Sequence, residues 1–183
     1  MPTTSKSLLH QTWFTTLRAI VYATFFLWFF GWLAFSVRSF DHNFAFALPH
    51  ATVLLGAVLM LVGGFVMLTC VSTFAIRGRG TPAPFDAPRQ FVAIGPYRYV
   101  RNPMYLGGFV LLVGLALYLR SVSILLLTLV LVCACHLLVT LYEERVLKSN
   151  FGAEYENYLR DVSRWLPRMP RNRARLNSGQ LAP

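Results

Sequence analysis

Two clusters of charged residues border long apolar runs in this sequence of 183 residues. The first is "GPYRYVRNP", residues 95–103, in which Arg98 and Arg101 precede Asn102-Pro103. Asparagine just before a helix and proline at its first position are both favoured, so a helix begins here. The unpaired N–H groups of a helix start attract anions, and the two arginines add positive charge. This cluster predicts a site for an anionic group, although arginines that only reach lipid phosphates are an open alternative.

The second cluster is the acidic pair Glu143-Glu144, which follows another apolar run. Carboxylates close to a negatively charged headgroup layer require compensation. Lys148, one helical turn after Glu144, is one candidate partner. The arginine cluster is the other, and a pocket with carboxylates on one wall and arginines with helix amides on the other suits a zwitterion. The residues alone leave both alternatives open.

His136 adds a third ionisable group to the same helix. His136, Thr140 and Glu143 or Glu144 recur at spacings that place them on one helical face. An ionisable residue inside an apolar span is a candidate functional residue. The structural alternative is a neutral imidazole that is hydrogen-bonded to a neighbouring helix.

The elements that must position these residues are membrane helices. Hydrophobic residues make up 56% of the chain and charged residues 13%. A span needs about 20 helical residues, and backbone polar groups in lipid must be satisfied within the helix. Four uncharged runs meet this length, the third only just: 19–37, 51–76, 102–119 and 121–142. We therefore predict an all-α polytopic membrane protein with four transmembrane helices, which form a single domain over residues 1–183.

The connections between these runs predict how the two charged clusters meet. Only Arg120 and Ser121 separate helices three and four, which predicts a tight hairpin whose far ends, at Asn102 and Glu143, are neighbours. Residues 77–101, with several prolines and glycines, are predicted to form a folded cap over the helix ends.

Beyond the fourth run, Gly152 is expected to end one helix. A second, interfacial helix then follows, with apolar side chains that recur at helical spacing as far as Trp165. Pro167 is expected to end this C-terminal interfacial helix.

The distribution of basic residues predicts the orientation. Of the 17 Lys and Arg residues, only Arg38 and Arg120 lie on the side opposite the two clusters. By the positive-inside rule both termini and the 77–101 loop are cytoplasmic, in the inner membrane if the source is bacterial. The net charge of +10 follows from this bias, and no nucleic-acid-binding motif is present. The basic tail, residues 168–183, is expected to rest on anionic lipid headgroups.

No metal site is predicted. The three cysteines, Cys70, Cys133 and Cys135, lie within the apolar runs and show neither zinc-ligand spacing nor a disulfide framework.

Residues 95–167 resemble the isoprenylcysteine carboxyl methyltransferase and phospholipid methyltransferase superfamily of integral membrane enzymes. The shared pattern is Arg-His-Pro-x-Tyr-x-Gly, then Glu-Glu, then Phe-Gly-x-x-Tyr-x-x-Tyr and a later Arg-x-x-Pro. It corresponds here to "RNPMYLG", "EE", "FGAEYENY" and "RWLP". The resemblance implies S-adenosylmethionine as cofactor. It also implies the residues of the cofactor pocket, which are Arg101, Asn102, Pro103, Tyr105, Gly107, Glu143 and Glu144. Asn102 stands where the family often has histidine, so no proton transfer is assigned to it.

The same resemblance implies methyl transfer to a lipophilic acceptor that enters sideways from the bilayer. Arg98 or Arg164 would hold a carboxylate acceptor, and Glu144 or His136 would take a proton from an amine or a thiol. A carboxylate on a prenylated cysteine, a phospholipid amine, a thiol and an isoprenoid-like metabolite remain possible acceptors. Two other functions stay open: a sterol-reductase-type enzyme that uses NADPH, and a non-catalytic membrane scaffold. The sequence makes no prediction of oligomeric state.

Overall fold

A computed structural model describes residues 5–45, 48–73 and 93–168. The described residues form helices, turns and loops, with no strand among them. The main helices are α1 (Ser5–Arg38), α2 (Thr52–Thr73), α3 (Pro103–Leu119), α4 (Val122–Leu138) and α5 (Glu144–Asp161). Short 3₁₀ helices cover Ser39–Asn43 and Gly95–Arg98, and a π-helix, Val139–Glu143, joins α4 to α5.

Three of these helical segments are long and apolar enough to cross a membrane: Ile20–Asn43, Thr52–Thr73 and Val122–Asp161. Helix α3 has 17 residues, and at 1.5 Å per residue it is about 26 Å long, a little less than a hydrocarbon core of about 30 Å. Large apolar side chains are exposed along the segments, among them Leu54 and Leu61 of α2 at 76% each. The all-helical class is confirmed, and the helices fit an integral membrane protein.

Glycines bring α2 and α3 into backbone contact. A Cβ added to Gly63 would lie 2.6 Å from the carbonyl oxygen of Gly107, and one added to Gly114 would lie 2.6 Å from the backbone nitrogen of Met60. Gly56 repeats the pattern, with the backbone nitrogen of Tyr118 at 2.4 Å from an added Cβ. Small residues at membrane helix contacts permit this approach. Here the glycines therefore serve helix packing.

The end of the bundle that lies away from the two charged clusters is built around the turn between α3 and α4. Arg120 has a left-handed conformation (φ 57°), and its Nε donates to the carbonyl of Leu48 at 2.5 Å. Ser121 caps α4 by accepting a hydrogen bond from the backbone N–H of Ile124. The Asp41 carboxylate accepts from the backbone N–H of Ser123 at 2.9 Å. These bonds hold the turn between α3 and α4 against Asp41, which follows α1, and against Leu48, which precedes α2.

The connection from α4 into α5 departs from the regular helix that the apolar run predicts. The π-helix inserts at Val139–Glu143 and gives α5 a new register. Gly152 (φ 50°, ψ −127°) then interrupts α5, at the position where the sequence predicts a helix end. The predicted continuation to Pro167 is wrong. The helix ends at Asp161, because Val162 takes an extended conformation.

Two predicted features lie outside the described residues. Residues 74–92, which make up most of the predicted cap, are one of them, and the basic tail beyond residue 168 is the other. The described end of the cap is the Gly95–Arg98 turn, in which Gly95 has a positive φ of 58°.

Candidate functional site

The site begins at the start of α3. Pro103 occupies the first turn of the helix, as predicted, and is buried. Asn102 is the residue just before the helix, but its side chain makes no capping hydrogen bond. Instead its Nδ2 donates to the backbone carbonyl of Arg164 at 3.2 Å. The side-chain cap predicted for Asn102 is therefore corrected to a long-range contact with the C-terminal segment.

That segment, residues 162–168, is called the strap, and it lies along the loop that precedes α3. The backbone N–H of Arg101 donates to the carbonyl of Ser163, and the backbone N–H of Arg168 donates to the carbonyl of Tyr99, both at 2.9 Å. Together with the Asn102 contact, these bonds satisfy backbone groups that a free loop would leave to water. The strap therefore holds the start of α3 against the end of α5.

A hydrogen bond between two tyrosines, Tyr158 on α5 and Tyr97 in the loop, connects α5 to the same loop. The Tyr158 hydroxyl donates to the backbone carbonyl of Tyr97 at 2.7 Å. The Tyr97 ring is itself buried beside Cys70 at the end of α2. Burial raises the pKa of the Tyr97 phenol well above its ordinary value, so it stays protonated and uncharged.

Tyr158→Phe is expected to lower the free energy of unfolding by about 1 kcal/mol, because it removes this hydrogen bond. Thermal unfolding in detergent, followed by circular dichroism, measures the change. Tyr142→Phe is the matched control, since Tyr142 is 52% exposed. Equal melting temperatures for the two variants would contradict the assigned bond.

Glu144 is the centre of the site. Its Oε1 accepts from Arg101 Nη1 at 2.9 Å, and it forms a bidentate pair with Arg164, Nε to Oε1 at 2.8 Å and Nη2 to Oε2 at 2.9 Å. Only 14% of the Glu144 side chain is exposed. The hydrogen bonds to Glu144 raise the pKa of the Arg164 guanidinium. Glu144 thus pairs with the arginines, and Lys148, the alternative partner, is not bonded to it.

Glu143 lies beside Glu144 and takes a different partner. Its Oε1 accepts a hydrogen bond from the Tyr105 hydroxyl on α3. The two acidic residues therefore both contact the first turn of α3 or the residues just before it. The acidic residues that follow α4 thus lie beside the start of α3. The short α3–α4 hairpin predicts this arrangement.

One polar group in this cluster is buried and unsatisfied. Arg101 Nε makes no hydrogen bond to the residues that the structure describes, although its Nη1 binds Glu144. An N–H donor on a charged guanidinium is costly to leave unpaired in a buried position. The cluster therefore contains one guanidinium donor, Nε of Arg101, that forms no hydrogen bond with the described residues.

His136 lies in the apolar helix α4, about two helical turns before Glu143, and contacts the strap. Its Nδ1 lies 3.1 Å from Nε1 of Trp165, and the two ring centroids are 6.2 Å apart. Trp165 also packs against Phe109 of α3, with centroids 6.1 Å apart. Thr140, predicted on the same face, donates its hydroxyl to the carbonyl of His136 within the helix. The contact partner of His136 is thus an indole of the strap.

The structure separates two of the predicted residues from this group. Arg98 is exposed, and its side chain makes no hydrogen bond or ion pair to any residue in the described ranges. Gly107 faces α2, since a Cβ added there would meet Val66 at 3.0 Å and the carbonyl oxygen of Gly63 at 3.1 Å. Gly107 accordingly serves helix packing.

Sequence reasoning missed the backbone bonds of Ser163 and the Trp165 contact with His136. The only sequence signal for these contacts was the Arg-x-x-Pro pattern of the tail. This pattern marks Arg164 but does not indicate which residues Ser163 and Trp165 contact.

A family model described as phospholipid methyltransferase matches residues 51–154, more than half of the chain. The chain belongs to this family. The resemblance that the motifs carry is thereby confirmed. Comparisons with curated proteins and with solved structures gave no match.

As a member of the phospholipid methyltransferase family, the chain carries a domain that implies methyl transfer in a membrane. The matched residues include Arg101, Tyr105 and both glutamates of the site. Arg164 and Trp165 of the strap follow the matched region. The family match thus favours methyl transfer over the reductase and scaffold alternatives.

Proposed function

We propose that this member of the phospholipid methyltransferase family transfers the methyl group of S-adenosylmethionine to a lipophilic acceptor at the cytoplasmic face of the membrane. The observation that carries the proposal is the cluster at the start of α3. There, the Glu144 carboxylate pairs with the guanidinium groups of Arg101 and Arg164, and the adjacent Glu143 carboxylate accepts a hydrogen bond from Tyr105.

The residues present fit the cofactor. S-adenosylmethionine carries an ammonium, a carboxylate, a sulfonium and ribose hydroxyls. Glu143 and Glu144 offer carboxylate oxygens for the positive groups and the hydroxyls. The unpaired N–H at Arg101 Nε is a donor suited to the carboxylate. We therefore assign Arg101, Asn102, Pro103, Tyr105 and the two glutamates to the cofactor site, and we leave Gly107 to helix packing.

Bound S-adenosylmethionine supplies a methyl group on a positively charged sulfur, which is transferred by direct displacement. The chain contributes alignment, and holding two reactants in attack geometry is worth about 7 to 11 kcal/mol. Tyr105 orients Glu143, and the paired arginines orient Glu144. Arg164 belongs to the strap, so the ion pair that orients Glu144 also holds the strap beside the site.

The acceptor is proposed to come from the bilayer. Arg98 is exposed and lies three residues before Arg101 in the chain, so we propose that its guanidinium binds a lipid phosphate or an acceptor carboxylate. The name of the family supports a phospholipid, and a prenylated cysteine carboxylate or a lipid thiol is a further acceptor that we propose to test. The bias of basic residues supports a cytoplasmic position for the site and for both termini.

Purified protein in detergent should bind S-adenosylmethionine in calorimetry and transfer its labelled methyl group to a component of a membrane lipid extract. Mass spectrometry then identifies the labelled product. Absence of both binding and transfer, in protein whose circular dichroism shows helical structure, would overturn the proposal.

Arg101→Gln is expected to weaken cofactor binding by about 10-fold to 100-fold, because a charge-assisted hydrogen bond contributes about 1.5 to 3 kcal/mol. The matched control is Arg145→Gln, which changes an exposed arginine next to Glu144 in sequence. Calorimetric titration of both variants measures the difference. Equal affinities would remove Arg101 from the cofactor site.

A further inference from the structure

Three rings form a cluster that lies farther along the apolar helices than Glu143, about two helical turns away at His136. They are Phe109 on α3, His136 on α4 and Trp165 on the strap, and they are called the ring cluster. Phe109 follows Tyr105 by four residues, which is about 6 Å along a helix axis. The ring cluster therefore continues the face of α3 that carries Tyr105, from the charged site toward the hydrocarbon.

The contact between Trp165 and His136 determines where the imidazole carries its proton. An indole nitrogen is a donor only, so Trp165 Nε1 donates to His136 Nδ1 across the 3.1 Å between them. Nδ1 must then be unprotonated. In a neutral imidazole the proton consequently lies on Nε2.

The other ring nitrogen has no such partner. His136 is exposed, and its Nε2 makes no hydrogen bond to residues 5–45, 48–73 or 93–168. Leu129, two helical turns before His136 on the same face of α4, is 60% exposed, and Cys133 on this face is also exposed, so this face of an apolar helix is open to the bilayer. An N–H donor at the edge of the hydrocarbon is costly to leave unpaired. A molecule that arrives from the bilayer with an acceptor oxygen would satisfy it.

We infer that His136, held by Trp165 as the Nε2–H tautomer, donates a hydrogen bond to a headgroup oxygen of the lipid that is to be methylated. This inference rests on the proposed function. It gives His136 a role in substrate binding, and it differs from the proton acceptance expected from the sequence, since Nδ1 is used by Trp165 and Nε2 already carries a proton.

The shared chemistry of the occupant is an anionic oxygen next to an apolar chain. A phosphodiester oxygen of a phospholipid and the carboxylate of a prenylated cysteine both supply it. The apolar chain would lie along the exposed leucines of α4, and the headgroup would extend past the ring cluster toward Glu143. Phe109 and Trp165 would then bound the headgroup on the α3 side.

Nuclear magnetic resonance of protein labelled with ¹⁵N-histidine, in a maltoside detergent free of phosphate, tests the tautomer without any activity. We expect a proton on Nε2 and none on Nδ1, with the signal assigned by its loss in His136→Gln. Trp165→Phe keeps a ring but removes the indole N–H, and it should yield a mixture of tautomers. A wild-type spectrum with a proton on Nδ1 would overturn the inference.

Adding lipids to the same sample tests the bond to the headgroup. The probes are phosphatidylethanolamine and N-acetyl-S-farnesylcysteine, each in mixed micelles. A shift of the Nε2–H signal with the first probe assigns a phosphate oxygen, and a shift with the second assigns a carboxylate. No shift with either probe would overturn the inference. Absence of S-adenosylmethionine binding would overturn the proposed function instead, so the two failures are distinguishable.

Steady-state kinetics with whichever probe is methylated separates binding from proton transfer. His136→Ala is expected to raise KM for the probe by about tenfold, the effect of one hydrogen bond, with a small change in kcat. His136→Gln should recover most of that loss, because its amide N–H replaces the Nε2–H donor. A loss of kcat of a hundredfold or more in both variants would identify His136 as a base and contradict the inference.

Discussion

Glu144→Gln is expected to weaken S-adenosylmethionine binding about a hundredfold and to lower the melting temperature of the protein. The carboxylate compensates two guanidinium groups, of which the Arg101 side chain is 14% exposed and the Arg164 side chain 30%. Removal of one partner of a largely buried ion pair leaves uncompensated charge and costs about 3 kcal/mol of stability. Loss of a carboxylate that binds the cofactor's positive group removes a charge-assisted hydrogen bond of up to about 3 kcal/mol, which corresponds to roughly a hundredfold in affinity. Calorimetry and thermal unfolding in detergent measure the two effects.

Glu154→Gln makes the same chemical change on an exposed position of the same helix, α5, and provides the control. It is expected to alter stability by less than about 0.5 kcal/mol. Loss of the Arg164 pair should also release the strap, which limited proteolysis after residue 161 would detect. Unchanged affinity together with unchanged proteolysis in Glu144→Gln would remove the carboxylate from both the site and the strap.

Gly63→Ala is expected to cost up to about 3 kcal/mol of stability and to abolish activity with it. The added Cβ would lie 2.6 Å from both the Gly107 carbonyl oxygen and the Leu111 backbone nitrogen. Backbone atoms inside a helix cannot give way locally, so α2 and α3 must separate, and overpacking of this kind costs about 1 to 3 kcal/mol. Because α3 carries Tyr105, the site is displaced with the helix. Thermal unfolding and size-exclusion chromatography in detergent measure the effect.

Gly64→Ala is the control at the neighbouring position. Its added Cβ has only the end of the Leu111 side chain nearby, at 4.0 Å. We expect it to unfold at the wild-type temperature, or slightly above, because alanine is favoured over glycine in a helix. Equal stabilities of the two alanine variants would show that α2 and α3 are farther apart than described.

Local signals in the sequence predicted the elements that hold the site. Uncharged runs of membrane-spanning length predicted the helical segments, and Asn102-Pro103 marked the start of α3 because proline fits only the first turn of a helix. Gly152 marked the break in α5, where the backbone takes a positive φ. These predictions succeed because each depends on residues that are neighbours along the chain.

The same local signals could not predict which residues the polar side chains of the site would pair with. Glu144 had two candidate partners, and the structure pairs it with Arg101 and Arg164. The Asn102 side chain was expected to cap its own helix but contacts the strap instead. Local capping and a long-range hydrogen bond satisfy the same amide, and only the position of the strap decides between them.

The sequence by itself determined that this chain is a helical membrane protein of the phospholipid methyltransferase family, with its charged residues gathered near Asn102 and Glu144. The tertiary structure alone decided which glycines pack against backbone, how the π-helix sets the register of α5, and that Trp165 reaches His136. The physical reason is distance along the chain. Hydropathy and capping act between neighbours, whereas register and ion pairing depend on segments that meet only when the helices assemble.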